Sequence, residues 1–532
     1  MPEDGDVSTT VTPAGPATAP ARELSRPVAA LVGVLAVAAA VGVGQLVAGF
    51  AGPGSAPFVA VADTVIRLSP QWLTEFGKTL GPERDKLALQ VGVAVVLLAL
   101  AVTAGLLSRR EPRWGMRIVI GLGLVGFAAV LFAPTFSPLD LLAPLAALGA
   151  GGLTFGRLHG LALRAAEPST VPHDGPSRRT VLAGAAGGVG VAALAAGAGG
   201  WALGRGVVDS RAEVTAMLRS ARIATAPALP PLADFAPTGT PTFHTSNADF
   251  YRIDVALRVP SVQAADWSLH VHGMVDRELT LSFSDLMSRP LVERDVTLTC
   301  VSNEVGGDLI STARFVGVEL RPLLLEAGIR PGADQLFSRS IDGWYTGTPL
   351  DVLLEPDRGA LLAVGMNGEA LPLEHGFPVR MVVPGLYGYV SATKWVVDLE
   401  ATTFAAKQAY WLERGWAERG PIKTECRIDL PGPFDQVPAG RVTLAGIAWS
   451  QHVGVSRVEV RVDGGPWQAA ELTTEVSRDT WRMWRTTVDL PPGRHQAEVR
   501  ATDARGVVQT EVRADPVPDG ASGWPVAAFT VV

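Results

Sequence analysis

The sequence predicts an all-α membrane portion of about five transmembrane helices, then an α+β domain, then a C-terminal β-sandwich of immunoglobulin-like type. Three observations lead there. Long runs with almost no charge crowd the chain before about residue 205, in a protein of 532 residues with 48% hydrophobic and 18% charged residues and a mean hydropathy of +0.25. Short strand-like and helical runs alternate after that point. The last hundred or so residues follow a period of two, as half-buried strands do.

Residues 1–26, rich in Pro, Ala, Thr and Asp, read as a disordered cytoplasmic tail. Residues 27–205 form the transmembrane part. Runs 28–50 and 87–107 are long enough for a hydrocarbon core of about 30 Å. Run 118–133 is short but extendable through its flanks. Run 139–163 has Asp140, Arg157 and His159 near its ends, and run 181–203 is almost entirely Ala, Gly, Val and Leu. Arg22 and Arg26 precede the first run, Arg109, Arg110, Arg113 and Arg117 join the second to the third, and Arg157, Arg164, Arg178 and Arg179 lie between the fourth and fifth. Five crossings put all three clusters on one side, the cytoplasmic one, and everything after the fifth run outside the cytoplasm. Residues 177–182, Ser-Arg-Arg-Thr-Val-Leu, fit either an internal twin-arginine export signal or two ordinary positive-inside arginines.

Residues 206–245 hold a short amphipathic stretch and a Pro-rich linker. Residues 246–428 read as α+β, with a strand at 267–271, a helix at 320–327 and a turn at Asn367-Gly368. In 429–532, Val458, Val460 and Val462 alternate with Glu459, Arg461 and Asp463 before the turn Asp463-Gly464-Gly465.

A formal charge of −7 leaves no global basic footprint for nucleic acid. Two cysteines, Cys300 and Cys426, cannot make a cysteine zinc site, an iron–sulfur cluster or a disulfide scaffold. Cys300 ends a strand-like run, placed to ligate something; by itself it fits a buried core cysteine as well. Further on, Met366-Asn367-Gly368 leads to Leu371-Pro372, His375-Gly376-Phe377-Pro378-Val379-Arg380, Pro384-Gly385 and Lys394-Trp395. His, Arg and Lys among glycines make a cradle for an anion, with Arg as a planar fork and Lys as a point charge. His270 and His272 alternate on a strand and share a face, as a metal pair or as ordinary histidines. Cys426 reads as core at the domain boundary.

Leu298-Thr299-Cys300 with Asn303, then Ser311-Thr312-Ala313-Arg314-Phe315, then the His375–Arg380 segment, Pro384-Gly385 and Lys394-Trp395, resemble in their order the sulfite oxidase family of molybdopterin-dependent oxidoreductases. The resemblance covers roughly 240–425, and the C-terminal sandwich resembles that family's dimerisation domain. It implies a molybdenum–molybdopterin cofactor with Cys300 as the one protein thiolate on the metal, a soft ligand suited to it. It implies that His375, Arg380 and Lys394 hold the pterin and its phosphate, that Arg314 lies near the pterin and pocket, and that Asn303 fixes the Cys300 loop. Phe250-Tyr251-Arg252 resembles an early family segment and gives Arg252 a place in the site, with Arg258 as competitor. The pocket aromatic falls at Trp344 or Tyr345.

Two departures bear on substrate. Glu304 and Val305 stand where sulfite-oxidising members carry arginine, and a second family arginine is replaced within 389–393. A doubly charged oxyanion needs charge-assisted donors, so a sulfoxide or other less charged oxo compound fits at least as well as sulfite. The implied chemistry is two-electron oxo transfer. Of the eight histidines, only His159 falls in a candidate span, so bis-histidine haem is unsupported. Electrons then pass through a separate cytochrome or quinone-linked protein, with membrane lipid around the anchor and a homodimer through the C-terminal domain. The competing reading is a non-catalytic envelope binding or adhesion module with a degenerate cofactor domain; the retained Cys300, His375, Arg380 and Lys394 disfavour it.

Overall fold

The computed structural model describes residues 23–70, 84–133, 136–166, 178–205, 210–236, 239–255 and 259–532. The tail through Arg22, Ser177 and Arg258 lie outside these residues. The chain divides into two compact units, one within residues 1–206 and one that holds 207–532.

The first unit contains helices α1 (Arg26–Ala51), α2 (Pro57–Leu68), α3 (Arg84–Leu107), α4 (Pro112–Leu131), α5 (Leu142–Ala165) and α6 (Arg178–Arg205). Among the described residues, five segments are long and apolar enough to cross a membrane: Arg26–Ala51, Lys86–Leu107, Pro112–Leu131, Pro138–Ala165 and Thr180–Ala202. The third run gains its length at the N-terminal side, where Pro112 at the first turn pre-sets the helix. Helix α1 packs on α3, α5 and α6. At the α1–α3 crossing a Cβ on Gly33 would lie 2.0 Å from the Ala101 carbonyl oxygen, and one on Gly105 would lie 2.0 Å from that of Ala29. Only glycine allows this approach of backbones.

At one end of this unit the segment ahead of α1, the α3–α4 link and the C-terminal half of α5 meet. Leu24 N donates to Arg109 O at 3.0 Å, Arg109 Nε donates to Leu24 O at 2.9 Å, and Glu23 pairs with Arg109 at 2.8 Å. His159 on α5 donates from Nε2 to Ser108 O at 2.7 Å, and Leu182 on α6 packs on the cluster that holds Leu24. Residues 23–25 therefore correct the expected tail. Leu24 is buried because it is apolar and its backbone is paired.

The second unit begins with α7 (Arg211–Ser220) and contains strands β1 (Ile223–Ala224), β2 (Ser268–Gly273), β3 (Leu279–Ser282), β4 (Leu291–Thr299), β5 (Ile310–Glu319), β6 (Gln335–Ser340), β7 (Tyr345–Pro349), β8 (Leu361–Met366), β9 (Glu369–Ala370), β10 (Arg380–Val382) and β11 (Val396–Thr402). They form two sheets, β1-β4-β5-β8-β10 with β9 on β8, and β3-β2-β11-β6-β7. Strand β1 runs parallel to β4 and β2 parallel to β11; the other pairings are antiparallel. One hydrophobic core lies among them, from Leu269 and Val271 through Phe315 to Val382 and Leu399.

Nine further strands complete the unit: β12 (Glu425–Leu430), β13 (Gln436–Val437), β14 (Gly440–Trp449), β15 (Val455–Val462), β16 (Gln468–Ala469), β17 (Glu471–Leu472), β18 (Arg482–Leu490), β19 (Gly493–Asp503) and β20 (Val526–Val531). Sheets β12-β14-β18-β17 and β13-β20-β19-β15-β16 share one apolar core of Leu444, Trp484, Val460, Val499 and Phe529, a two-sheet sandwich. It begins at Glu425, before the expected 429, because β12 pairs with β14. Cys426 consequently fills the sandwich core.

The expected linker 206–245 is largely built into this unit. On α7, Val214 and Leu218 are buried in the α+β core, and Arg211 Nε donates to Leu371 O at 3.0 Å. Phe235 and Phe243 pack with Trp449, Trp481 and Met483 of the sandwich. Apolar residues spaced along a Pro-rich stretch were its sign in the sequence.

Candidate functional site

Cys300 stands where β4 ends, and its loop is held from both sides. Cys300 N donates to Leu309 O at 2.9 Å and Asn303 N to Cys300 O at 3.1 Å. Asn303 Oδ1 accepts from Leu309 N at 2.9 Å, closing the loop. A Cβ on Gly307 would lie 2.7 Å from that Oδ1, so residue 307 must be small. Asn303 Nδ2 is buried with no hydrogen-bond partner among the described residues. The sandwich supplies the outer clamp: Gln451 Nε2 donates to Thr299 Oγ1 at 3.4 Å, Gln451 Oε1 accepts from Gly385 N at 3.2 Å, and Arg427 Nη1 donates to Gly307 O at 3.2 Å. Cys300 is 9% exposed, and neither cysteine is in a disulfide.

Beside it lies a buried group of cations. Arg380 opens β10 and is 5% exposed. Its guanidinium donates only to carbonyls, His375 O at 3.2 Å and Met381 O at 3.4 Å, and no carboxylate pairs with it among the described residues. Burial pulls its pKa down to about 10. Lys394 Nζ donates to Asp254 Oδ2 at 3.0 Å and to Glu374 O at 3.1 Å. Burial pulls it down to about 8 against the pull of Asp254. Arg252 Nε bonds the same Asp254 oxygen at 2.8 Å. His375 Nε2 donates to Asn247 O at 3.1 Å, which leaves Nδ1 as the acceptor. Burial, then Arg380 and Lys394, lower its pKa to about 3, so the ring is neutral at pH 7.

Tyr251 ties the two groups together. Its hydroxyl is raised well above the ordinary tyrosine range, first by burial and then by Cys300, while Arg380 lowers it. Asp342 is also pushed up by burial, with Asp254 adding to the shift. The sequence reading missed Tyr251, Asp254 and Asp342 as site residues. The aromatic-aromatic-Arg segment 250–252 was the available signal for the first.

Two expected residues are turned elsewhere. Arg314 bonds Asp295 through two nitrogens, at 2.9 and 2.8 Å, and donates to Pro227 O at 3.1 Å. Strand alternation explains this. Ser311 accepts from Tyr251 N at 3.1 Å and Phe315 lies under Arg380, 6.0 Å from ring centre to guanidinium, so odd-numbered residues of β5 face the site. Arg314 faces the opposite side, across from Asp295 on β4. Tyr345 points its hydroxyl at Glu413, 3.3 Å away, and its ring meets Phe337 and Tyr410. None of these described contacts is with Cys300, Arg380 or Lys394.

The donor set fits an anionic, hydrogen-bonding cofactor that presents phosphate to cations and takes one thiolate on its metal. Among the described residues Arg380 lacks a counter-charge, and Asn303 Nδ2 and His375 Nδ1 remain for neutral polar atoms. Residues 256–411 match the family model described as the oxidoreductase molybdopterin binding domain. Mitochondrial sulfite oxidase of Homo sapiens is 32% identical over 308 residues, 49% of this chain and 55% of that protein. The chain thus spans little more than half the length of the curated sulfite oxidases it matches. The uncharacterized oxidoreductase YuiH of Bacillus subtilis is 32% identical over 183 residues, 34% of this chain and 83% of that protein. Among solved structures, the sulfane dehydrogenase SoxCD from Paracoccus pantotrophus is 22% identical with a TM-score of 0.49, covering 57% of this chain and 88% of that one. The chain belongs to the sulfite oxidase family of molybdopterin-dependent oxidoreductases.

Proposed function

We propose that this protein is a membrane-anchored oxidoreductase that carries out two-electron oxo transfer outside the cytoplasm. The observation that carries the reading is Arg380, a buried guanidinium without a carboxylate partner among the described residues, with Tyr251 as a neighbour that it shares with Cys300. A buried charge is costly until an opposite charge meets it, and a pterin phosphate supplies one.

Molybdenum–molybdopterin, when bound, provides oxo transfer and two-electron redox change. The chain's residues do the rest. Cys300 is the thiolate ligand, and its sandwich-clamped loop fixes the direction of the sulfur. Arg380, Lys394 and Arg252 bind phosphate and pterin oxygens. Neutral His375 offers Nδ1 as an acceptor, and Asn303 Nδ2 is a donor held in place. Tyr251, desolvated and protonated, is the hydroxyl beside the sulfur and the reacting centre.

The substrate is a sulfoxide or another small oxo compound of low charge, with sulfite as its competitor. Glu304 is exposed, residues 386–393 contain no cation, and Thr393 Oγ1 is engaged with Ser338 Oγ at 2.6 Å. The apolar helices anchor the protein, with their arginine-bearing end toward the cytoplasm. The sandwich is immunoglobulin-like and forms a homodimer. Electrons come from a separate cytochrome or quinone-linked protein. Steady-state turnover of the purified protein, with sulfoxides and a reduced dye or with sulfite and an oxidised dye, tests the substrate. Sulfoxide reduction should exceed sulfite oxidation in kcat/KM; rapid sulfite oxidation with inert sulfoxides would overturn the assignment.

A further inference from the structure

On the outer face of the sheet β3-β2-β11-β6-β7, two histidines and a carboxylate converge apart from the residues assigned to the cofactor. His270 and His272 are two apart on β2, so both side chains leave the same face. Asp398 lies on the adjacent parallel strand β11, in register with His270. The imidazoles stack at 4.4 Å with 9° between planes. His272 Nε2 is 2.9 Å from Asp398 Oδ2, and His270 Nδ1 is 3.9 Å from the same oxygen. One ligand atom from each residue falls within 4.8 Å of the others. Two donors of a tetrahedral zinc are separated by about 3.3 Å, given metal–donor bonds of about 2.0 Å, and the two distances to Oδ2 bracket that value.

We propose that His270, His272 and Asp398 form a site for a zinc-class divalent cation. Imidazole nitrogen with one carboxylate oxygen suits zinc and its late first-row neighbours rather than calcium or magnesium. The surroundings fit this chemistry. Glu278 Oε2 lies 3.4 Å from His270 Nε2, an exposed carboxylate able to swing in or to leave the fourth position to water. Asp398 Oδ1 is buried without a hydrogen bond, and Arg339 Nε stands 3.7 Å from it. Arg339 neutralises the far oxygen and orients Oδ2 toward the histidines, as outer partners of metal ligands do. Its guanidinium is half exposed and lies over the Phe337 ring at 5.2 Å. The cation joins β2 to β11, the strand that follows directly on Lys394 and Trp395.

The test uses the full-length, untagged protein in detergent, stripped with a chelator, dialysed and titrated with zinc against a chromophoric competitor. One zinc per chain with micromolar or tighter affinity is expected, together with a raised melting temperature. The His270→Asn/His272→Asn double variant should lose that zinc, and Asp398→Asn should weaken it at least tenfold. Both should keep molybdenum content and the wild-type far-UV spectrum. Cobalt at the same stoichiometry should give visible d–d bands without a thiolate charge-transfer band, which separates this site from Cys300 and Cys426. No zinc uptake by the wild type, unchanged uptake by a folded double variant, or a thiolate band on the bound cobalt would each overturn the proposal.

Discussion

Arg380 carries the sharpest consequence at the level of single residues. It is buried, donates only to carbonyls and has no carboxylate partner among the described residues. Replacing it by methionine removes an uncompensated charge and keeps the volume. Arg380→Met should therefore stabilise the cofactor-free protein by about 1–4 kcal/mol while lowering molybdopterin content at least tenfold. Chemical denaturation and pterin assay read the two effects, whose opposite signs separate a binding role from a packing role. Glu425 gives a second test. Burial raises its pKa from 4.5 to about 8, so the folded state holds a proton that the unfolded state has lost across that range. Stability from this group falls as pH rises from about 4.5 to about 8. Glu425→Gln should melt progressively higher than wild type as pH climbs through that window, and a difference independent of pH would contradict the assignment. Cys300, Asn303, His375, Arg380 and Lys394 stand out in the sequence because they sit in ordered local motifs; the structure adds their hydrogen bonds and burial, and their roles toward the cofactor are proposed. For Arg314 and Tyr345 the motif names a strand but not which face of it a side chain takes, and the structure pairs them with Asp295 and Glu413.

At the level of elements, the Cys300 loop is supported by a domain distant in sequence. Gln451 bridges Thr299 and Gly385, and Arg427 holds Gly307. Gln451→Ala should cost about 1–3 kcal/mol for two buried partners left unsatisfied. Turnover should fall, through kcat more than KM, by roughly the tenfold to hundredfold seen when a ligand's support is lost. Kinetics of the loaded protein check this; unchanged kcat would mean that the loop needs no outer clamp. The sequence made β15 and the five apolar runs visible by period and length. It hid the role of 211–245, since Val214, Leu218, Phe235 and Phe243 find their partners only in three dimensions.

At the level of the whole molecule, Leu24 ahead of α1, Arg109 after α3 and His159 in the C-terminal half of α5 meet at one end of the helical unit; we propose that this end faces the cytoplasm, the orientation that the arginine clusters favour. If Arg178 and Arg179 form an export signal, changing both to lysine should retain the catalytic domain in the cytoplasm while the first four helices still insert. Protease accessibility in intact cells and spheroplasts measures that, and normal export would favour the plain positive-inside reading. The central claim is that Cys300 and Arg380 hold molybdopterin. Its most direct test is the molybdenum and pterin content of the purified full-length protein, made in cells that synthesise the cofactor, beside Cys300→Ser. About one molybdenum and one releasable pterin per chain are expected, with sulfur ligation reduced by one thiolate in the variant by X-ray absorption. A folded wild-type chain without molybdenum, or a metal whose sulfur count is unchanged by Cys300→Ser, would contradict the account.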